Sequence, residues 1–440
     1  MTVTTTTDRP ERKLARTVGK ILAFLAALLL GLPVLLLPLT TAVPAWVWIP
    51  LALAAIVLMV LLFRLQPAMR GIATGLAGML LVAVLAVVAS QVFAATPPIT
   101  GADGKPLPGS IASLEKVTLN GSQQWITIRG QDLSKPVLLH LGMGGPGGGG
   151  FATRSLFEPL EKDFVVVSWD EPGTGKSFHA VPTSELTTQR FIDDAHALTL
   201  YLQERFHQEK IYVYGVSWTS ILGIWLVQQY PELYHAYIGN GQMVNTTQND
   251  VMGYELALDY LAEVGNAAAL EKLRRNGPPP YAGEGMLGKY VAFLDVLNEY
   301  MGAPRYTVIV PVIPFIAPEY GLVDKINHTR GLITSFQVVY PQLRDLEFRT
   351  QAASLEVPVY IFAGRDDVNA MSSLVEDYVN RLQAPHKELI WLQGGHGLGA
   401  ENIDQFTDVM VNTVLPQTYP ASQPSTSAPK PPPISPPSTP

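Results

Sequence analysis

The sequence contains no cysteine, which excludes a disulfide framework and any thiolate metal site. It is also short of charge: Asp, Glu, Lys and Arg make up 15% of its 440 residues, where a soluble globular chain carries about 25%. The formal net charge is −7, so the chain has no polyanion-binding footprint and nucleic acid is not an expected partner. No H-E-x-x-H pair occurs among the eight histidines, and neither a metal nor another cofactor is expected. Hydrophobic residues reach 48%, too many for a disordered chain.

The missing charge is concentrated in the first hundred residues. No charged side chain lies between Lys20 and Arg64, nor between Arg70 and Asp103. A spanning helix needs about 20 mostly apolar residues, so the first gap holds two spans, with Thr40 to Pro44 as the turn, and the second gap a third. The expected spans are 21–39, 45–63 and 71–93, with Pro33 and Pro38 inside the first. A cleaved signal peptide has a single apolar core of about 7–15 residues, far shorter than this. Lys and Arg set orientation. The arm at 1–20 carries Arg9, Arg12, Lys13, Arg16 and Lys20, the second short loop carries Arg64 and Arg70, and the first loop carries none. All of these belong on the cytoplasmic side, which puts everything after Phe93 outside the membrane. The expected location is a multi-pass anchor in a bacterial cell membrane, with the lipid bilayer as partner. Residues 1–70 hold seven basic and two acidic side chains, leaving −12 for the rest of the chain.

After a linker at 94–112, the pattern changes to short apolar runs alternating with helical ones, which implies a mostly parallel sheet with helices on both faces. An Asn120-Gly121 hairpin leads into strands expected at 137–141, 164–169, 211–214, 236–238, 357–362 and 388–392. Residues 113–244 and 345–415 form this α/β core. Residues 245–344 interrupt it with helical patterns and a proline-rich middle, as a cap over the carboxyl edge of the sheet, where open α/β sheets bind ligands. Residues 416–440, rich in Pro, Ser and Thr, read as a disordered tail.

Gly215-Val216-Ser217-Trp218-Thr219 follows a strand and precedes a helix, the context of a nucleophile elbow, with Thr219 in place of the motif's second glycine. A serine hydroxyl needs a general base, and the base needs a group that fixes its tautomer. Asp367, with Asp366 as the alternative, follows one later strand and His396 follows the last, in the order serine, acid, histidine that the fold requires. The run Gly142 to Gly150 directly after a strand supplies backbone N–H groups, Gly144 and Gly145 among them, which with the N–H of Trp218 can bind an oxyanion. Gln242 and Trp218 are candidates to line the acyl site. Asp170 to Ser177 imitates a phosphate-binding loop but begins with aspartate where that motif has glycine.

These motifs carry a resemblance. Pro136 to Gly147, ending Met-Gly-Gly-Pro-Gly, resembles the His-Gly-Gly-Pro-Gly oxyanion loop of the prolyl aminopeptidase (proline iminopeptidase) branch of α/β hydrolases. Asp170-Glu171-Pro172-Gly173-Thr174-Gly175-Lys176-Ser177 is similar to its Asp-Gln-Arg-Gly-x-Gly-x-Ser run, and Gly215 to Trp218 to its elbow. Tyr237 to Gln242 is similar to another segment of that branch. The departures are Met143 for histidine, Glu171-Pro172 for Gln-Arg, and Thr219 for glycine. The resemblance covers residues 113–413 and implies an α/β-hydrolase fold and a serine hydrolase that releases N-terminal proline or similar residues from short peptides. In that family cap carboxylates hold the substrate's free amine, which puts forward Glu284, Asp295, Glu299 and Glu319. Two alternatives stand beside this reading: an esterase or lipase acting on acyl esters near the bilayer, and a non-catalytic surface binding protein on the same fold. The substrate is thus a small peptide or ester, and no motif assigns a protein partner.

Overall fold

The computed structural model describes residues 10–65 and 68–419; the start of the basic arm, with Arg9, and the tail from residue 420 lie outside the described residues. Three long apolar helices come first: α1 (Pro10–Thr40), α2 (Ala45–Arg64) and α3 (Ala68–Val92). Within them Thr17–Thr40, Ala45–Arg64 and Met69–Val92 have mean hydropathies of 2.6, 2.6 and 2.5, long and apolar enough to cross a membrane. At about 1.5 Å per residue, 20–24 residues reach 30–36 Å. Large apolar side chains cover their outer faces, Leu29, Leu39, Trp46 and Val92 among them. The helix α1 continues through Pro33 and Pro38 and begins at Pro10, so the part of the basic arm described here is helical instead of a separate segment. It ends where the Thr41 hydroxyl donates to the Leu37 carbonyl at 2.6 Å.

The rest is one eight-stranded sheet: β1 (Ile111–Leu119), β2 (Ser122–Gly130), β3 (Val137–His140), β4 (Val165–Asp170), β5 (Ile211–Val216), β6 (Tyr234–Asn240), β7 (Val359–Gly364) and β8 (Lys387–Leu392), in the order β1-β2-β4-β3-β5-β6-β7-β8. The pairings β1/β2 and β2/β4 are antiparallel and all others parallel. Positive φ at Asn120 (45°) and Gly121 (81°) closes the β1/β2 hairpin, the backbone that an Asn-Gly pair favours. Side chains alternate between two layers. On β5, Ile211 and Val213 join the core under α4 (Thr188–Phe206) and α5 (Trp218–Gln229), while Tyr212 and Tyr214 face the other side.

Between β6 and β7 the chain forms the cap: α6 (Thr246–Glu263), α7 (Ala267–Asn276), α8 (Met286–Tyr300), a short α9 (Tyr306–Ile309) and α10 (Leu322–Val339), followed by the single turn α11 (Phe348–Gln351). After β7 comes α12 (Ser372–Arg381), and after β8 come α13 (Ile403–Val409), a π-helical turn at Met410–Val414 and α14 (Leu415–Thr418). The folded core therefore runs beyond residue 415, where a tail was expected. The Tyr360 hydroxyl donates to Gln417 at 2.7 Å, and Tyr212 and Thr418 share a hydrogen bond at 2.8 Å. These bonds and the packing of Val414 hold the last turn against the sheet.

Candidate active site

The elbow forms because β5 ends one residue before a helix begins. Ser217 has φ 55° and ψ −117°, a strained conformation for a non-glycine residue, and its N–H donates to the Asn240 carbonyl on neighbouring β6 at 3.1 Å. A Cβ at Gly215 would come within 2.3 Å of the Thr219 carbonyl, so a side chain there would prevent the turn from closing. Thr219, where the motif has glycine, is held by its hydroxyl. It donates to the Gly142 carbonyl at 2.8 Å and accepts from the Val216 N–H at 2.8 Å, tying the elbow to the end of β3.

Asp367 follows β7 and His396 follows β8. The His396 Nδ1 lies 2.9 and 3.1 Å from the two Asp367 carboxylate oxygens. Asp367 is buried, and its Oδ1 also accepts the N–H groups of Asn369 (2.9 Å) and Ala370 (2.8 Å). Burial alone would lower the His396 pKa; the charge and hydrogen bond of Asp367 outweigh it and leave the imidazole above its ordinary value. Gly241, the residue after β6, passes so close that a Cβ would meet the imidazole at 2.8 Å. Asp366, the alternative acid, is exposed, and its N–H is bonded to Gly394. The sheet order thus brings the serine, the glycine turn, the carboxylate and the histidine to the carboxyl ends of four adjacent strands, β5 to β8. Cap residues brace this edge: Asn298 of α8 accepts from the Asn369 amide at 2.9 Å, and Asn249 of α6 accepts the Met371 N–H at 2.8 Å.

The glycine loop after β3 is clamped from two sides. Thr174 donates to the Gly147 carbonyl at 2.6 Å, and His328 of α10 bonds the Gly148 carbonyl at 2.7 Å. The Gly147 N–H donates to Glu171 and the Gly148 N–H to the Gly145 carbonyl. Among the described residues, the backbone N–H groups of Gly144, Gly145 and Trp218 have no acceptor. Helix α10 passes close to this loop, since a Cβ at Gly147 would lie 2.6 Å from the Gly331 carbonyl, and it packs equally close on the turn after β4, where a Cβ at Gly331 would sit 2.2 Å from the Gly173 carbonyl.

Glu171, noted in the sequence only as a departure from a motif, is a buried carboxylate joining these parts. It accepts from the Gly147 N–H and, at 3.1 Å, from the indole Nε1 of Trp218. Burial raises its pKa from 4.5 to about 7. Neighbouring Asp170 accepts from the Tyr320 hydroxyl at 2.7 Å and the Lys176 N–H at 3.0 Å, and burial raises it to about 7 as well. Lys176, the lysine of the loop that imitates a phosphate site, is paired with Asp324 at 2.8 Å.

The cap acids do not converge on one point. Glu284 is exposed, Asp295 accepts from the Thr307 N–H and hydroxyl at 3.2 and 2.9 Å, and Glu319 is fully buried 2.8 Å from Arg154. Glu299 is a third exposed, is paired with Arg305, and lies in the last turn of the helix whose Asn298 holds the Asp367 loop. Gln242 is buried and committed to the Tyr237 hydroxyl (2.6 Å) and the Met243 carbonyl (2.9 Å), so it supports the β6 turn. Asp250, which no pattern singles out, is buried in the cap and accepts from Tyr290 and Tyr340 at 2.8 and 2.9 Å. Among the described residues, no three His, Asp or Glu side chains are grouped to hold a metal ion.

Comparison with known proteins agrees with this architecture. Residues 135–270 match the family model described as the α/β hydrolase fold. The chain is 28% identical over 300 residues to the probable aminopeptidase YbaC of Bacillus subtilis, covering 67% of this chain and 93% of that one. A proline iminopeptidase of Mycobacterium smegmatis superposes with a TM-score of 0.51 at 18% identity, over 70% of this chain and 99% of its own. A proline iminopeptidase-related protein of Thermus thermophilus does so at 0.52 and 20%, with the same coverage. The strand order and these matches give this chain the α/β-hydrolase fold, preceded by three long apolar helices.

Proposed function

We propose that the chain is a membrane-anchored serine hydrolase that removes N-terminal proline or similar residues from short peptides outside the cytoplasm. The observation that carries the reading is the His396–Asp367 pair at the strand edge that also bears the strained Ser217. The Ser217 hydroxyl attacks the carbonyl as neutral His396 takes its proton. Asp367 holds the imidazole by Nδ1, leaving Nε2 for the serine, and stabilises the imidazolium that forms. The N–H groups of Gly144, Gly145 and Trp218 receive the oxyanion, and the imidazolium returns its proton to the leaving amine. Water then repeats the sequence on the acyl-enzyme.

An N-terminal ammonium needs a negative partner in a partly dry site. Glu299 suits this role, since α8 reaches the Asp367 loop through Asn298 and an incoming ammonium competes with one half-exposed cation, Arg305, among the described residues. The esterase reading is favoured by the same inventory: Glu299 and Glu319 both already have cationic partners. A panel of aminoacyl-arylamides and acyl esters, run with a Ser217→Ala control, separates the readings. Turnover of N-terminally free arylamides with loss in Ser217→Ala supports the peptidase. Turnover of esters alone sinks the peptidase and leaves the esterase. Failure of a fluorophosphonate probe to label Ser217 removes both.

A further inference from the structure

Beyond α3, the described residues expose ten large hydrophobic side chains, and six of them lie between Val308 and Ile333 of the cap. Isolated exposed hydrophobics are ordinary, and Leu133, Leu200, Val264 and Tyr300 are of that kind; a cluster calls for an explanation. The cluster has two parts. Residues 306–317 carry no charge and expose Val308, Val312 and Ile316, the last at 64%. On α10, Val323, Ile326 and Ile333 fall three and seven residues apart, on one outward face. The buried Lys325 ammonium donates to the Pro314 and Ala317 carbonyls at 2.9 and 2.7 Å, fastening the loop to the helix as one surface.

This surface is continuous with the apolar helices. The Leu322 N–H donates to the Ser90 hydroxyl near the end of α3 at 2.9 Å. The Leu322 side chain packs into the cluster formed by Val34, Leu37, Val43, Val82 and Ala86. At the same end Trp46 and Phe93 meet edge to face at 5.5 Å, and Trp46 is 71% exposed; tryptophan is a residue enriched at the membrane–water boundary. Ile326 is four residues beyond Leu322, about 6 Å along the helix. The start of α10 is therefore held at the level where the apolar helices end, with its bare apolar face beside it.

We infer that this cap surface, made by residues 306–317 and the outer face of α10, rests in the outer leaflet of the bilayer that holds the anchor. The occupant is lipid, because the face is uncharged apart from Arg330 and continues the apolar exterior of the helices. The inference rests on the anchor reading proposed above, and the test keeps the two apart.

The native chain has no cysteine, so a single introduced thiol is a unique label site. Val312→Cys, Ile316→Cys and Ile326→Cys variants carry an environment-sensitive fluorophore in the full chain, reconstituted in phosphatidylethanolamine–phosphatidylglycerol vesicles. Leu81→Cys reports on the anchor, and Leu133→Cys and Val264→Cys report on the exposed remainder. The expected result is a blue shift and loss of emission to nitroxide-bearing lipid at 81, 312, 316 and 326, with 133 and 264 unaffected. Quenching at 81 but not at the three cap sites overturns the cap inference and leaves the anchor standing. A blue shift at the cap sites without lipid quenching overturns it in favour of a protein partner or a second copy. Absence of quenching at 81 overturns the anchor and the inference together.

Discussion

Ser217, His396 and Asp367 each depend on a few identifiable contacts, and single substitutions test them. Asp367→Asn removes the acceptor that orients His396 and is expected to lower kcat by about 10²–10⁴ with little change in KM, measured on the best arylamide or ester. Because Asp367 holds the imidazole above its ordinary pKa of 6.5, the acid limb of kcat/KM should lie above that value in the native enzyme. Activity is lost as pH falls through that limb. A limb at or below 6.5 would contradict the assigned pairing. Thr219→Val removes the hydroxyl that joins the elbow to Gly142 and leaves buried partners unsatisfied. It should cost about 1–3 kcal/mol in denaturant unfolding. Glu171 was visible in the sequence only as an odd residue in a motif. Its burial depends on the glycine loop and Trp218 closing over it, contacts made by residues 24 and 47 positions away.

At the scale of elements, the strands and major helices were legible because the apolar runs and turn residues mark them. Val137, Ile211 and Trp218 begin the elements that the pattern assigns to them. Boundaries moved where local pattern is silent: β1 starts at Ile111, and the final helix continues through a π turn to Thr418 because core contacts extend it. The cap was recognisable as an insertion, yet the role of α10 was not. Its clamp on the glycine loop after β3 rests on His328 and on the side-chain-free contact of Gly147 with Gly331, both set by tertiary approach. Gly331→Val should push α10 off Gly173 and reduce kcat/KM by at least tenfold while far-UV helix content stays unchanged. Glu299→Gln should raise KM for free-amine arylamides about tenfold, about 1.4 kcal/mol, and leave ester turnover unchanged. Equal effects on both substrates would remove Glu299 from amine binding.

For the whole molecule, buried carboxylates and the apolar exterior have measurable consequences. Glu171 is raised from 4.5 to about 7, so between those values the folded state holds a proton that the unfolded state has released. That contribution favours folding below about pH 4.5 and is lost as pH rises through 7. Glu171→Gln should therefore reduce the stability lost between pH 5 and pH 8 by about 1–3 kcal/mol, read from unfolding of the full chain in detergent. A chain starting at Ala94 keeps the bond of Arg129 to Thr96 in the linker, at 2.9 Å, and its pair with Glu161, at 2.6 Å, but uncovers Leu322. It should fold, by circular dichroism, and self-associate on size exclusion unless detergent is present.

The sequence by itself determined the division into long apolar helices and a charged α/β domain, the strand–helix alternation, and the chain order of Ser217, Asp367 and His396, each after a strand. All of these are written in local composition and in motifs of a few residues, where the physics is a matter of hydrophobic period and turn geometry. The tertiary structure alone decided which aspartate meets His396, which glycine N–H groups stay without an acceptor among the described residues, and that Glu171 lies buried between the loop and Trp218. It also decided that the cap docks on the end of α3. Those features depend on which strand edges become neighbours and on which charges lose their water, and both arise only when distant segments pack together.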